Sequence, residues 1–288
     1  MERNKENQDW LRIASSIRDD LYRYVQEHAL RSLVLGVSGG IDSALTAVLA
    51  SEVCKKSGIP LIGRSIPIET NTTEERVRAR KVGEAFCADF REVDLTRLYT
   101  EVRETVEEVN CTVPTREDKV RRGNIKARLR MIYLYHLAQQ YRGMVLSTDN
   151  RTEYMLGFWT LHGDVGDYTP LFGLWKTEVY ALAETLLEQE KDVRRSEALE
   201  SCIRALPTDG LGITRSDVEQ LGAVDYSEVD MTLMRCCRGE LGSGNEMVVR
   251  RYLDSEYKRN NPRVIVRDRL GLNSQNLKYE IYKNAGGR

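Results

Sequence analysis

The stretch Val37-Ser38-Gly39-Gly40-Ile41-Asp42-Ser43 brings two hydroxyls, two adjacent glycines and a carboxylate into a few positions. Glycines let backbone N–H groups approach an anion, and a helix starting just beyond them adds partial positive charge. Phosphate is the ligand that suits such a loop. The pattern is not G-x-x-x-x-G-K-[ST], and G-x-G-x-x-G is absent, so neither a Walker loop nor a dinucleotide fingerprint is present. A double glycine can also make a tight strand-to-helix turn with no ligand, so the flanking elements carry weight. Asp42 is the residue to explain, because a carboxylate facing a polyphosphate without a cation is repelled. Farther on, Lys176 stands at the start of a helical pattern, where a cation opposes the helix dipole, whereas Glu153 at such a place is favoured by it.

The elements that would position these groups are readable from periodicity. Trp10, Ile13, Ala14, Ile17, Leu21 and Tyr24 recur at spacings of three and four, which predicts an amphipathic helix over 8–30. A buried strand at 33–37 runs into the glycines, and a helix follows from Ile41 to Cys54. Further strands are expected within 60–67, 90–94 and 143–147, with helices over 73–86, 99–109 and 125–141. The polar, basic segment 112–123 and the segment 163–175 read as loops; a helix over 176–190 and shorter helices beyond Pro207 complete the chain. Alternating strands and helices predict an α/β fold, a mainly parallel sheet with helices on both faces, plus a C-terminal helical elaboration. The simplest division is one domain over 1–288, with its core at about 8–268 and a tail from 269.

Composition limits the function classes. The chain's 43 basic and 44 acidic residues nearly cancel, so no global field favours nucleic acid or a membrane surface. No run approaches the roughly 20 apolar residues that span a bilayer, and the N-terminus MERNKENQDW has no apolar signal core. Six cysteines without a C-x-x-C pair fit neither a zinc site nor a dithiol redox centre. A cytoplasmic protein with reduced thiols is expected.

The motif S-G-G-x-D-S at Ser38–Ser43 resembles the pyrophosphate loop of ATP pyrophosphatases, the PP-loop or adenine nucleotide alpha hydrolase-like fold. Later motifs narrow the resemblance. Asn124-Ile125-Lys126-Ala127-Arg128-Leu129-Arg130-Met131, Ser147-Thr148-Asp149-Asn150-Arg151-Thr152-Glu153 and Gly157-Phe158-Trp159-Thr160-Leu161-His162-Gly163-Asp164 resemble, in the same order, segments of the NAD synthetase family. So do Pro170 with Lys176-Thr177-Glu178-Val179-Tyr180, Pro207-Thr208 and Tyr257-Lys258-Arg259.

That resemblance implies a ligase that amidates deamido-NAD to NAD through an acyl adenylate, with ATP as co-substrate and ammonia as nitrogen donor. It implies that Gly36, Val37, Ser38, Gly39, Gly40, Ile41, Asp42, Ser43, Thr148, Lys176 and Thr208 hold ATP, with Lys176 and Asp42 catalytic. Asp42 and Glu153 would ligate Mg²⁺, while Arg128, Asp167, Tyr257 and Lys258 would meet deamido-NAD. On helix pattern alone, Arg128 beside Lys126 and Arg130 reads as a solvated face.

The chain departs from the family in two places. Gly163-Asp164-Val165-Gly166-Asp167 is one residue shorter than the usual G-D-G-G-x-D, and Leu161 replaces a common lysine. Leu161 and the late motifs look like the synthetase domain of glutamine-dependent forms, yet only some 35 residues precede the loop. Free ammonia, or ammonia from a separate glutaminase partner, is therefore expected. Two other readings remain: an adenylating amidotransferase for a different carboxylic acid, and a tRNA-modifying protein suggested by the basic segment 116–130. The family also implies a homodimer, for which the apolar stripe of the first helix offers a face.

Overall fold

The computed structural model describes residues 2–69, 71–107, 115–206 and 217–272. Among these, β1 (Leu33–Gly36), β2 (Leu61–Ser65), β3 (Asp89–Glu92) and β4 (Met144–Leu146) form a wholly parallel sheet in the order β3-β2-β1-β4. The register pairs Leu33 with Leu61 on one side and with Met144 on the other. The chain runs outward from β1 through β2 to β3, then returns to place β4 on the opposite flank. The strand order therefore reverses at β1, and in open parallel sheets the crevice at that switch point is where ligands bind.

Helices α1 (Glu2–Glu27), α2 (Ile41–Ser57), α3 (Thr73–Phe86), α4 (Thr96–Val106) and α5 (Arg116–Gln140) connect or flank these strands. Then come α6 (Arg151–Leu156), α7 (Lys176–Gln189) and α8 (Val193–Ile203). They are followed by α9 (Asp217–Gln220), α10 (Tyr226–Cys237), α11 (Glu246–Asp254), α12 (Glu256–Arg259) and a short 3-10 helix (Arg267–Leu270). Successive strand side chains point to opposite faces, and the burial follows that rule. Leu33, Leu35, Met144 and Leu146 join a core with α1, α2, α7 and α8, while Val34, Ile62 and Val145 join Met131, Leu134 and Leu137 of α5. The sheet is thus covered on both faces, as the unbroken apolar run at 33–37 requires. A smaller core of Leu156, Trp175, Leu221, Val229, Leu233 and Val248 ties the C-terminal helices to α6 and the start of α7.

The structure departs from the sequence reading at three points. The basic segment ahead of residue 125 is helical from Arg116, because Thr115 and Asp118 form a reciprocal capping box that starts α5 two turns early. Two helices, α6 and α8, lie outside the elements predicted from periodicity; α6, whose first turn the Glu153 charge suits, has its own capping box between Asn150 and Glu153. The stripe on α1 is not free for a partner: Ala14, Leu21 and Val25 are buried in this chain's own core, and Trp10, Ile13 and Ile17 pack against it.

Candidate functional site

The loop after β1 is rigid by construction. Gly39 has φ +85°, and a Cβ there would lie 2.4 Å from the Glu75 carbonyl oxygen, so only glycine fits. Arg78 of α3 donates to the Gly39 carbonyl at 2.9 Å. Within the loop, the Ser38 hydroxyl accepts from Gly40 N–H at 3.2 Å, and the Ser43 hydroxyl accepts from Ser38 N–H at the same distance. Gly40 caps α2 in an extended conformation with no side-chain acceptor. The first N–H groups of a 17-residue helix thus face the crevice with their partial positive charge available to an anion.

Across the switch point, the segment after β4 meets this loop. Asn150 donates to Asp42 at 2.8 Å from 108 residues away. Lys176, at the first position of α7, is buried and bonds Asp42, and it reaches Glu153 at 3.1 Å. Burial alone would lower the Lys176 ammonium, but Asp42 and Glu153 outweigh it and hold it well above the ordinary lysine range. Burial, reinforced by the Asp42 charge, pushes Glu153 upward against the pull of Lys176. The misfit of a lysine at a helix start is explained by its partners, the carboxyl groups of Asp42 and Glu153, rather than by the dipole.

Two cavities meet here. One of about 850 Å³ runs along the phosphate loop and takes in Asp42, Thr148, Glu153 and Lys176. The other, about 830 Å³, is walled by Ile132, Tyr135, Tyr154, Phe172 and Arg128. Met131, Asp149 and Trp159 line both. Burial raises the Asp149 carboxyl most, Ser147 pulls it back, and Asp164 and Asp42 add to the rise, leaving it at about 7. The Trp159 indole N–H is buried and has no hydrogen-bond partner among the described residues.

The structure brings together Gly36, Val37, Ser38, Gly40, Ile41, Asp42, Ser43, Thr148, Glu153 and Lys176 around the first cavity; Gly39 does not line it and is held by Arg78. Arg128 lines the second cavity and donates to the Leu161 carbonyl at 3.0 Å, so it is not merely a solvated face. Thr208 lies outside the described residues. Asp167 accepts from Val145 N–H at 2.9 Å and Tyr135 O–H at 3.0 Å. Tyr257 is exposed. Lys258 lines the first cavity but spends its ammonium on the carbonyls of Gly157 and Trp159, with burial and Arg251 lowering it to about 8.

Sequence reasoning passed over Asp149 and Asn150, although both sit inside motifs it quoted. The Asn150-x-x-Glu153 spacing is a capping signature that could have flagged the turn. Of the adjacent cysteines, Cys236 is buried and Cys237 is exposed.

A parallel α/β sheet with a serine–glycine phosphate loop at its switch point, facing a lysine clamped by two carboxylates, defines a nucleotide-binding protein of the PP-loop class. The chain belongs to the NAD synthase family, whose model matches residues 13–262. It is 32% identical over 250 residues to an NH(3)-dependent NAD(+) synthetase of Finegoldia magna, covering 84% of this chain and 92% of that one. NAD+ synthetase from Burkholderia pseudomallei superposes with a TM-score of 0.63 at 27% identity, over 88% of this chain and 91% of the other. An NMN synthetase from Francisella tularensis shares the fold at TM-score 0.72 and 24% identity, over 89% and 97% of the two chains. No helix among the described residues is long and apolar enough to cross a membrane.

Proposed function

We propose that this single-domain chain amidates deamido-NAD to NAD, consuming ATP and ammonia and releasing AMP and pyrophosphate. The observation that carries this reading is the junction of the two cavities at Asp149 and Trp159, which joins a phosphate cradle to an aromatic-walled pocket. A carboxylate oxygen of the pyridine acid attacks the α-phosphorus of ATP, and the bond to pyrophosphate breaks. Ammonia then attacks the acyl carbon, the bond to AMP breaks, and the nitrogen sheds a proton.

The loop 36–43 holds the phosphates through backbone N–H groups and the Ser38 and Ser43 hydroxyls, with Thr148 beside them. Lys176 stabilises the charge that grows on the departing pyrophosphate, an electrostatic role. Asp149 takes the proton from nitrogen, a role supported by its position bordering both cavities. Arg128 faces the acid from the wall of the second cavity.

Among the described residues no three His, Cys, Asp or Glu side chains could form a protein-only metal cage. The pair Asp42 and Glu153 nevertheless fits Mg²⁺, which needs only one or two carboxylates alongside phosphate oxygens and water. Bound there, Mg²⁺ neutralises phosphate charge and removes the repulsion that Asp42 would otherwise impose.

Exposed Ile132, at 65%, and Phe172 on the rim of the second cavity support a homodimer that covers this rim. A different carboxylic acid is the second reading, favoured by Leu161 and the shortened loop at 163–168. ATP–pyrophosphate exchange with deamido-NAD, and with smaller pyridine acids, decides between them. Exchange that needs deamido-NAD is the expected result; exchange only with another acid overturns it. Amide formation is expected with ammonium, and turnover on glutamine alone would remove free ammonia as the donor.

A further inference from the structure

The start of α7 carries Lys176, and its own sequence supplies only half a cap, Glu178 accepting from the Trp175 N–H at 2.9 Å. Trp175, at the N-cap position, offers no side-chain acceptor to the first N–H groups of the helix. The missing acceptors come from elsewhere in the chain. Lys176 N–H donates to the Thr152 hydroxyl at 2.8 Å, and Thr177 N–H donates to Asp230 at 2.9 Å. Asp230 sits on α10 with 1% of its surface exposed. It also accepts from the Thr152 hydroxyl at 2.5 Å and the Thr177 hydroxyl at 2.8 Å. One buried carboxylate therefore receives three hydrogen bonds and, through Thr152, governs a fourth. Thr152 immediately precedes Glu153, so the same anion grips both short stretches that carry the partners of Asp42. Tyr226, on the same helix, places its ring 5.6 Å from the Lys176 ammonium.

A negative charge at a helix N-terminus is stabilising, and a buried carboxylate with its hydrogen bonds satisfied is rigid. The capping anion of α7 thus comes from the C-terminal helical unit, 53 residues downstream of the helix start it serves.

We propose that Asp230 is a positioning residue for the adenylation step: it sets Lys176 and Glu153 against the phosphate loop, and so links the docking of α10 to charge stabilisation on ATP. This rests on the role assigned to Lys176 above. The C-terminal helices are then part of the phosphate machinery rather than an ornament on the sheet.

The test is a mutant cycle on the full chain, in the wild-type and Lys176→Met backgrounds, with ATP–pyrophosphate exchange, ATP affinity and thermal melting all measured. Asp230→Asn, isosteric but uncharged, is expected to lower the exchange kcat by about 30-fold or more and to weaken ATP binding about three- to tenfold. In the Lys176→Met background the same change is expected to cost less than about threefold in either measure, because the group it positions is gone. Thr177→Val, which leaves the carboxylate in place, is expected to lower kcat in the same direction and to add little to Asp230→Asn. Asp230→Glu is expected to restore part of the loss.

An Asp230→Asn enzyme with wild-type kcat and ATP affinity overturns the proposal. So does an equal loss in both backgrounds, or one that only tracks the unfolded fraction in melting; should Asp230→Asn not fold, Thr177→Val is read by the same criteria. If wild-type protein gives no exchange with deamido-NAD, the proposed function fails, while the ATP-affinity arm of the cycle still reads the positioning role.

Discussion

Lys176 is the residue on which the charges balance. Its ammonium is buried, and it persists as a cation only because Asp42 and Glu153 lie against it. Lys176→Met removes that charge at similar length. Exchange is expected to fall at least about 100-fold, in keeping with the loss of one preorganised electrostatic group, and unchanged steady-state rates would refute the assignment. Asp149 gives a pH prediction. Its folded pKa, about 7, is raised above the ordinary 3.8, so the folded state favours the protonated carboxyl. That contribution to stability is full below pH ~4 and is lost as pH rises through about 7. Melting curves of the ligand-free protein should therefore show Asp149→Asn gaining on the wild type between pH 5 and 8. An equal offset at both ends of that range would contradict it. If Asp149 takes the proton from nitrogen, as proposed, the same variant should also lower amide formation more than pyrophosphate exchange.

At the scale of the element, the strand–loop–helix unit from β1 to α2 is where local sequence and function coincide. Gly39→Ala would put a methyl group 2.4 Å from the Glu75 carbonyl in a backbone region that L-residues avoid. The cost is about 1–2 kcal/mol from the backbone alone, and the clash with α3 adds to it. Lower stability in denaturant titration and at least about tenfold weaker ATP binding are expected, the loop geometry being what presents the N–H groups. Tight ATP binding by this variant would mean the loop does not act as a cradle. The capping residues show how much of this scale was legible. Thr72 with Glu75 and Asn150 with Glu153 are local signatures, so the starts of α3 and α6 can be read from residues three apart. The start of α7 at Lys176 follows from its own helical pattern, but the acceptors of its first N–H groups, Thr152 and Asp230, lie on other elements and cannot be read locally.

At the scale of the whole molecule, the parallel sheet with its order reversing at β1 brings two crossing segments to one crevice and leaves an apolar-rimmed cavity beside it. If that rim is the face between two copies, light scattering should give twice the chain mass, and Ile132→Glu should shift it toward the monomer. A monomeric wild type would remove the interface. The sequence by itself determined the phosphate loop, the alternation of strands and helices and the family motifs. Each of these depends on residues within a turn or two of one another and on the fixed periods of strand and helix. Tertiary structure alone decided that Asn150 and Lys176 converge on Asp42, that Asp230 caps α7, and that Lys258 spends its charge on backbone carbonyls. Those contacts join positions 53 to 134 residues apart, and no local pattern encodes a partner that only the path of the chain across the sheet brings near.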